Sequence, residues 1–289
     1  MQRAERKVLE LRKKATEVRL TTLEVFGNLG FGHVGGSMSV TELLTALYFG
    51  GIMRYDPKNP RWERRDWLIM SKGHAGPTLY TILAMLGFFS INELKTLNQG
   101  GTRLPSHCDR NLTTGIDMTT GSLGLGMSVA IGVALGHRLD GKKNRVYLIV
   151  GDGECQEGQV WEATLYAAHK GLSNLIAFVD YNHQQLDGYT KDINDLGDLR
   201  SKFECFGWFA QEIDGHDFTQ IFDAVRSAQD EKKRPSMIVM NTIKGKGCTY
   251  AEGVLKNHHM VVSEENTREA LACLHEEIGR LEAEIKGCM

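Results

Sequence analysis

Apolar residues fall into two kinds of pattern along this chain, and the alternation between them sets the expected fold. Val146–Val150 and Leu175–Val179 are short, unbroken apolar runs rich in β-branched residues, the pattern of strands buried on both faces. Asp66–Met70 and Met237–Thr242 read as further strands. Elsewhere the apolar positions step by three and four. Val8, Leu11, Ala15, Val18, Thr22 and Val25 line one face of a first helix that stops at Gly27-Asn28 and Gly30, as helix C-termini do. Ser39 with Glu42 has the spacing of a capping box for a helix through Phe49. Ser71–Gly76 turns the first strand into a helix ending near Gly87. Further helices are expected over Leu123–Leu139, Trp161–Lys170 and Phe218–Ala228, the last with Ile221, Phe222 and Val225 inward. Leu271, Leu274, Ile278, Leu281 and Ile285 step 3-4-3-4 along a C-terminal helix. Strands alternating with helices predict a doubly wound α/β domain, a mainly parallel sheet with helices on both faces. That domain is expected to span 1–262, with 263–289 a helix packed on it or on a partner.

The segments between these elements hold the candidate chemistry. Gly32–Ser37, Gly100–Thr120 and Asp187–Lys202 lack periodicity and read as loops; one as long as Gly100–Thr120 points to a role in function. Thr119-Thr120-Gly121-Ser122-Leu123-Gly124-Leu125-Gly126 is a glycine-rich approach to a helix, placing free backbone N–H groups at its N-terminus. Gly151-Asp152-Gly153 ends the strand at Val150 with a sharp turn. Alone, Asp-Gly is an ordinary turn signal. Here Asn182 follows thirty residues after Asp152, past one helix and one strand. Such a βαβ unit sets both residues at the carboxyl ends of parallel strands, where open α/β sheets bind ligands. A carboxylate, an amide oxygen and a backbone carbonyl there suit Mg²⁺ or Ca²⁺ already carrying phosphate.

Composition narrows the class. The 289 residues suffice for one sizeable domain or two smaller ones, and 42% apolar with 24% charged residues is ordinary for a soluble protein. With 34 basic against 36 acidic residues, no global positive field recruits nucleic acid. Six cysteines occur singly without a CxxC pair, which argues against a zinc site or disulfide framework and suits a reducing cytoplasm. The charged N-terminus is not a signal peptide pattern, and Leu123–Leu139, the most membrane-like stretch, carries four glycines and His137-Arg138. No membrane association is expected.

Six motifs occur in an order that resembles the transketolase family. They are Gly32-His33-x-Gly35-Gly36-Ser37, Ser71-Lys72-Gly73-His74, Pro105-Ser106-His107, Thr119–Gly126, Gly151-Asp152-Gly153-Glu154-x-Gln156-Glu157-Gly158 and Lys244-Gly245-Lys246-Gly247. The resemblance runs from about Gly32 to His258 and is to the N-terminal, diphosphate-binding part of a transketolase, as in the N-terminal subunit of two-gene members. It implies thiamine diphosphate as cofactor, with Mg²⁺ (Ca²⁺ or Mn²⁺ as substitutes) held by Asp152, Asn182 and the backbone carbonyl of Gln184. It implies cofactor contacts from His74, Gly121, Ser122, Leu123, Gly153, Glu154, Asn182, Leu186 and His258, Leu123 and Leu186 forming an apolar wall. His33, His107 and His258 would line the substrate channel as catalytic residues, a task suited to side chains that titrate near neutrality. Glu157 and Glu162 match carboxylates at a subunit interface.

The activity so implied is two-carbon ketol transfer from a ketose phosphate or related ketose to an aldose. The glutamate that activates the cofactor sits in the family's pyrimidine-binding domain, and no residue here matches its context. The expectation is therefore a partner chain carrying that domain, an α2β2 assembly, and no activity of this chain alone. Two departures from the family pattern, Cys108-Asp109 after His107 and His259–Val262 after His258, lie on the substrate side. Alternatives within the cofactor class are a 2-oxoacid dehydrogenase α-subunit, which has no reason to carry His33, His74 and His107 in these loops, and a 1-deoxyxylulose-5-phosphate synthase, which lacks the Thr-Thr-Gly-Ser-Leu-Gly segment. A non-catalytic or regulatory homologue is the alternative from another class.

Overall fold

The computed structural model describes residues 2–288. In chain order it holds α1 (Gln2–Leu29), β1 (Phe31–Gly32), α2 (Val34–Met38), α3 (Thr41–Tyr48), β2 (Trp67–Met70), α4 (Gly76–Met85), α5 (Leu125–Leu139), β3 (Val146–Gly151), α6 (Gly158–His169) and β4 (Leu175–Tyr181). There follow α7 (Thr190–Asn194), α8 (Leu199–Cys205), β5 (Phe209–Asp214), α9 (Phe218–Asp230), β6 (Ser236–Asn241), β7 (Met260–Val261) and α10 (Glu264–Gly287). Strands β2-β3-β4-β6-β5 pair in that order, all parallel. The short ribbon of β1 and β7 is antiparallel and separate.

Because successive strand residues point to opposite faces, the apolar run of β3 supplies two cores. Tyr147 and Ile149 pack with Ile176, Phe178, Ile238 and Met240 beneath α1, α3, α4 and α9. Val146, Leu148 and Val150 pack with Ala177, Val179 and Val239 beneath α5, α6 and α8. The expected doubly wound parallel architecture is therefore the observed one. Long α10 lies along α1, with Ala270 and Leu274 in the first core and Lys13 bridging Glu282 at 2.7 Å. No helix among the described residues is long and apolar enough to cross a membrane.

Several local expectations are corrected. Gly32–Ser37 is not all loop, since Val34–Met38 forms a buried helical turn. Ser39 is not an N-cap; α3 begins after Val40 without a side-chain cap. The Ser39 hydroxyl instead donates to Asp180 at 2.6 Å, and Glu42 takes Arg19 at 2.6 Å and the Nδ1 of His216 at 2.9 Å. A capping-box spacing here serves buried polar contacts. The capping box that does form is Ser90 with Glu93, on a 3₁₀ turn. Asp187–Lys202 contains α7 and leads into α8, which Asp198 caps through the Ser201 N–H at 2.9 Å. Strand β5 has no signature in the pattern because it is an edge strand, reading Phe-Ala-Gln-Glu-Ile-Asp with only Ala210 buried.

The helix α5 meets the turn after β2 at Gly126. A Cβ there would lie 2.2 Å from Ser71 Oγ and 2.9 Å from its Cα. Alanine adds about 1 kcal/mol of helix propensity over glycine, but overpacking against backbone costs about 1–3 kcal/mol. The clash should win, so Gly126→Ala should lower unfolding free energy by about 1–2 kcal/mol in urea titration; a more stable variant would refute the close approach.

Candidate cofactor site

At the carboxyl ends of β2, β3, β4 and β6 the chain gathers its buried charges. Asp180, fully buried near the end of β4, accepts hydrogen bonds from Lys72 Nζ, Ser39 Oγ (2.6 Å), Thr242 Oγ1 (2.5 Å) and Asn182 Nδ2 (2.9 Å). Burial alone would raise its pKa, but the Lys72 ammonium and the hydroxyl donors outweigh that and hold it below the usual carboxylate value. Glu154 plays the corresponding part beside β3. It receives Ser71 Oγ, the Gly124 N–H at 2.9 Å and the Gly151 N–H at 3.0 Å, tying the glycine-rich segment before α5 to the turn after β3.

Above these groups opens a cavity of about 260 Å³, lined by Lys72, His74, Lys244, His258, Leu123, Asp152, Gly153, Asn182, Gln184 and Leu186 among others. Asp152 follows β3 and Asn182 follows β4, whose register aligns Gly151 with Asp180. Asp152 Oδ1 accepts the Gly153 N–H at 2.8 Å, whereas its Oδ2 is buried without a partner. Burial, then the nearby charge of Asp180, push the Asp152 carboxyl up to about 7. The amide of Asn182 donates to Asp180, which turns its oxygen away from that carboxylate; that oxygen accepts the Gln184 N–H at 3.2 Å. Gly153 has no room for a side chain, since a Cβ would approach Gln185 Cβ to 2.9 Å.

Lys244 enters from the loop after β6. Its Nζ donates to the carbonyls of Gln184 (3.2 Å) and Gln185 (3.5 Å) and lies 3.2 Å from His258 Nδ1. Burial and the neighbouring Lys72 lower its pKa to about 8. The loop is held from behind: Thr242 by Asp180, and the Ile243 N–H by His216 Nε2 at 2.9 Å. With Nε2 accepting, His216 carries its proton on Nδ1 and directs it to Glu42.

Beside the cavity four histidines gather around His33. Ring centroids lie 5.5 Å from His74, 5.6 Å from His107, 5.5 Å from His258 and 4.7 Å from His259. Burial, then the neighbouring His259, His107 and Lys244, lower His33 to about 4. Burial and Lys244 lower His258 to about 3, burial and Lys72 take His74 well below its ordinary value, and burial lowers His107. These four rings are neutral at physiological pH, ready to accept a proton or share a hydrogen bond.

The structure thus brings together His33, His74, His107, His258, Asp152, Gly153, Asn182, Gln184, Leu123, Leu186 and Glu154. Both oxygens of the Glu154 carboxylate, however, already accept protein donors. Gly121 packs on His107 and Gly73, and Ser122 is exposed; neither lines the cavity. Glu157 is exposed at the cavity edge and Glu162 is exposed on α6. Lys72, Asp180, Thr242 and Lys244 had no assigned role in the sequence pattern. Lys72 and Lys244 stand in two of the motifs quoted above, and Asp180 carries a signal of its own, a charged residue continuing an apolar strand.

An unpartnered carboxylate oxygen, hard amide and carbonyl oxygens, two ammonium groups and a glycine turn meet at parallel strand ends, a donor set suited to a hard divalent cation carrying an anionic group. Residues 11–277 match the family described as transketolase, thiamine diphosphate binding domain. The chain belongs to the transketolase family, whose chemistry is that of a transferase. It is 52% identical to a 6-deoxy-6-sulfo-D-fructose transketolase subunit of Clostridium sp. (strain MSTE9), covering 93% of this chain and 98% of that one. It is 37% identical to an apulose-4-phosphate transketolase subunit of Phocaeicola vulgatus, covering 96% and 98%. The transketolase of Campylobacter jejuni superposes with a TM-score of 0.83 at 28% identity, over 96% of this chain and 48% of that one. For the Leishmania mexicana transketolase the values are 0.82, 27%, 96% and 46%. This chain spans about half the length of those solved transketolases.

Removing Asp180 strands a buried ammonium and three further donors. Asp180→Ala should cost about 3–5 kcal/mol of unfolding free energy, the penalty of an uncompensated buried charge; a loss below about 1 kcal/mol would show that the hub carries little. The histidines give the protein an acid-sensitive window. Their folded pKa values lie below the unfolded value of about 6.5, so the unfolded chain binds more protons as pH falls below that value, and stability drops toward pH 4. Asp152, raised to about 7, Asp117, raised to about 6, and Glu154, also raised, act oppositely, but burial lowers His137 and His183 as well, so six histidines stand against three acids. The melting temperature should therefore fall between pH 7 and pH 5, and less steeply in His33→Asn; equal slopes would remove His33 from the cause.

Proposed function

We propose that this chain is the thiamine diphosphate-binding subunit of a two-chain transketolase that moves a two-carbon ketol unit from a ketose to an aldose. The observation that carries the reading is the unpartnered Oδ2 of buried Asp152, facing the same cavity as Asn182, Gln184 and the two lysines. Asp152, Asn182 Oδ1 and the Gln184 carbonyl would hold Mg²⁺. One carboxylate leaves most of the ion's charge to be met by diphosphate oxygens, and Lys244 supplies further positive charge, Lys72 being paired with Asp180. When bound, the cofactor supplies the carbon nucleophile and electron sink that two-carbon transfer requires.

The protein's own part is to position and to move protons. His33, His107 and His258, kept neutral by burial, can accept a proton from a donor hydroxyl and return it to the departing aldose. His74 has its ring centroid 4.7 Å from that of His258 and lines the cavity, which supports a contact with the cofactor. Gly121 and Ser122, off the cavity lining, would serve through backbone at the far end of the cofactor, and Glu154 by fixing the turn on which Gly153 offers its N–H. The relatives named above act on 6-deoxy-6-sulfo-D-fructose and apulose 4-phosphate, which favours a donor ketose ending in a sulfonate or phosphate.

A partner carrying the pyrimidine-binding domain would complete the site. Leu123, Leu125, Leu186, Tyr189 and Ile193 stand exposed at or beside the cavity mouth, an apolar rim of the kind obligate interfaces bury. Glu157, Glu162 and the α5–α6 face extend that surface, and an α2β2 assembly would use it. All six cysteines are free thiols, in keeping with a cytoplasmic enzyme.

Calorimetry on the purified chain tests the cation site. Asp152→Asn, nearly isosteric but uncharged, should weaken Mg²⁺-dependent thiamine diphosphate binding at least about tenfold; unchanged affinity would reject the assignment. A ketol-transfer assay tests the assembly, because the chain saturated with cofactor and Mg²⁺ should turn over only with its partner chain. Robust turnover alone would overturn the two-chain reading.

A further inference from the structure

The loop from Arg110 to Asp117 takes no part in the site above, yet it walls a second cavity of about 560 Å³ beside the start of edge strand β2. The two cavities share no lining residue. This one gathers three arginines, Arg61, Arg65 and Arg110, with Thr113, Thr114 and a single acid, Asp117. Arg65 donates to Asp117 Oδ1 at 2.8 Å, and its guanidinium lies 4.6 Å from the centre of the Trp67 ring. The other Asp117 oxygen accepts the Leu68 N–H at 2.9 Å, so Asp117 is fully engaged. Arg110 is drawn to the same indole, 5.8 Å from its centre, and its guanidinium has only the Met118 sulfur, at 3.3 Å, as a hydrogen-bond acceptor. Neither Arg110 nor Arg61 has a carboxylate partner among the described residues.

Two guanidiniums collected on one ring repel each other, and Asp117 neutralises only the first. The excess positive charge, the planar donor forks and the Thr114 hydroxyl make a surface matched to tetrahedral oxyanions, which arginine binds bidentately. The geometry points to this cavity as a binding site for a phosphate-like oxyanion, with Arg61 and Arg110 as its principal donors and Arg65 as a fixed flank. Its occupancy bears on the cofactor site through the chain itself. The Arg110 N–H donates to Thr119 Oγ1 at 3.2 Å, Thr120 Oγ1 donates to the Met70 carbonyl at 2.6 Å, and Gly121 then packs on His107. A ligand that steadies Arg110 therefore steadies the segment holding His107. This last step rests on the function proposed above; the binding itself does not.

The test is titration of the ¹⁵N-tryptophan-labelled chain with inorganic phosphate, following the indole resonance of Trp67 assigned through Trp67→Phe. A saturable shift is expected, with a dissociation constant on the order of 1 mM. R61A/R110A should weaken it at least about tenfold while keeping the wild-type melting temperature in phosphate-free buffer. Phosphate can also enter the Lys72–Lys244 cavity, so Lys244→Ala should leave the Trp67 curve unchanged; this separates failure here from failure of the cofactor assignment. Tighter binding of a hexose 6-phosphate would assign a sugar phosphate as ligand, and equal affinity a free oxyanion. No saturable shift up to about 50 mM phosphate, or the same curve in R61A/R110A, would overturn the proposal.

Discussion

The Asp180 carboxylate, wholly buried and ringed by Lys72, Ser39, Thr242 and Asn182, is the constraint on which the rest of the site depends. A buried charge is tolerated only when paired and hydrogen-bonded. Here the required partners come from four places far apart in sequence: the α2–α3 junction, the turn after β2, the residue after β4 and the loop after β6. Satisfying Asp180 therefore brings three strand ends and one helix junction to one point. Replacing such a hub with apolar residues is often neutral or better for stability. Its presence is better understood as setting position, since each of its donors lies next to a cavity wall: Lys72 itself, Gly36 near Ser39, Asn182 itself, and Lys244 two residues beyond Thr242.

From that arrangement the electrostatics follow. Lys72 and Asp180 cancel, leaving Lys244 as the free positive charge and Asp152 as a carboxyl poised near 7. Lys244 is lowered only to about 8, so it keeps its charge near neutrality. Lys244, joined by Lys72 at His74 and His258, lowers the pKa values of His33, His74 and His258 further than burial alone would, whereas His107 is lowered by burial. On the function proposed above, a site that binds an anion by positive charge would secure, with the same charges, unprotonated imidazoles beside it. Anion binding and proton handling would then be linked by one set of lysines, although they use different residues.

Much of the fold was legible in the sequence because parallel central strands must be apolar on both faces; β3 and β4 announce themselves, and the helices between them have plain periodicity. Edge strand β5 is covered on one side only and carries alternating polar residues, so its run looks like loop. The Ser39–Glu42 spacing misled for a related reason. Residues that cap helices are also the small polar groups able to enter a buried network, and sequence distance does not tell the two apart. Within the site, Asp152 and Asn182 lie on one βαβ unit, a local relation with a fixed spacing. Lys72 and Asp180 are 108 residues apart, so their pairing is a property of the tertiary fold. An aspartate continuing the run Phe178-Val179 signals that some partner exists without saying which.

The cavity's walls differ in a way that bears on completeness. Its charged floor is finished: Lys72, Asp152, Asn182 and Lys244 are all buried in the isolated chain. Its apolar side is open, with Leu123 41% and Leu186 63% exposed. Electrostatic groups act strongly only where water is kept away, and a floor preorganised in this detail gains little beneath an open roof. Leu123 and Leu186 cannot close over it by themselves, because Leu123 is tied through Gly124 to Glu154, and the segment before Leu186 is held by Lys244 at the Gln184 and Gln185 carbonyls. On the two-chain reading, a partner surface laid on those leucines would exclude water from the diphosphate floor and deliver the missing half of the cofactor site in a single step.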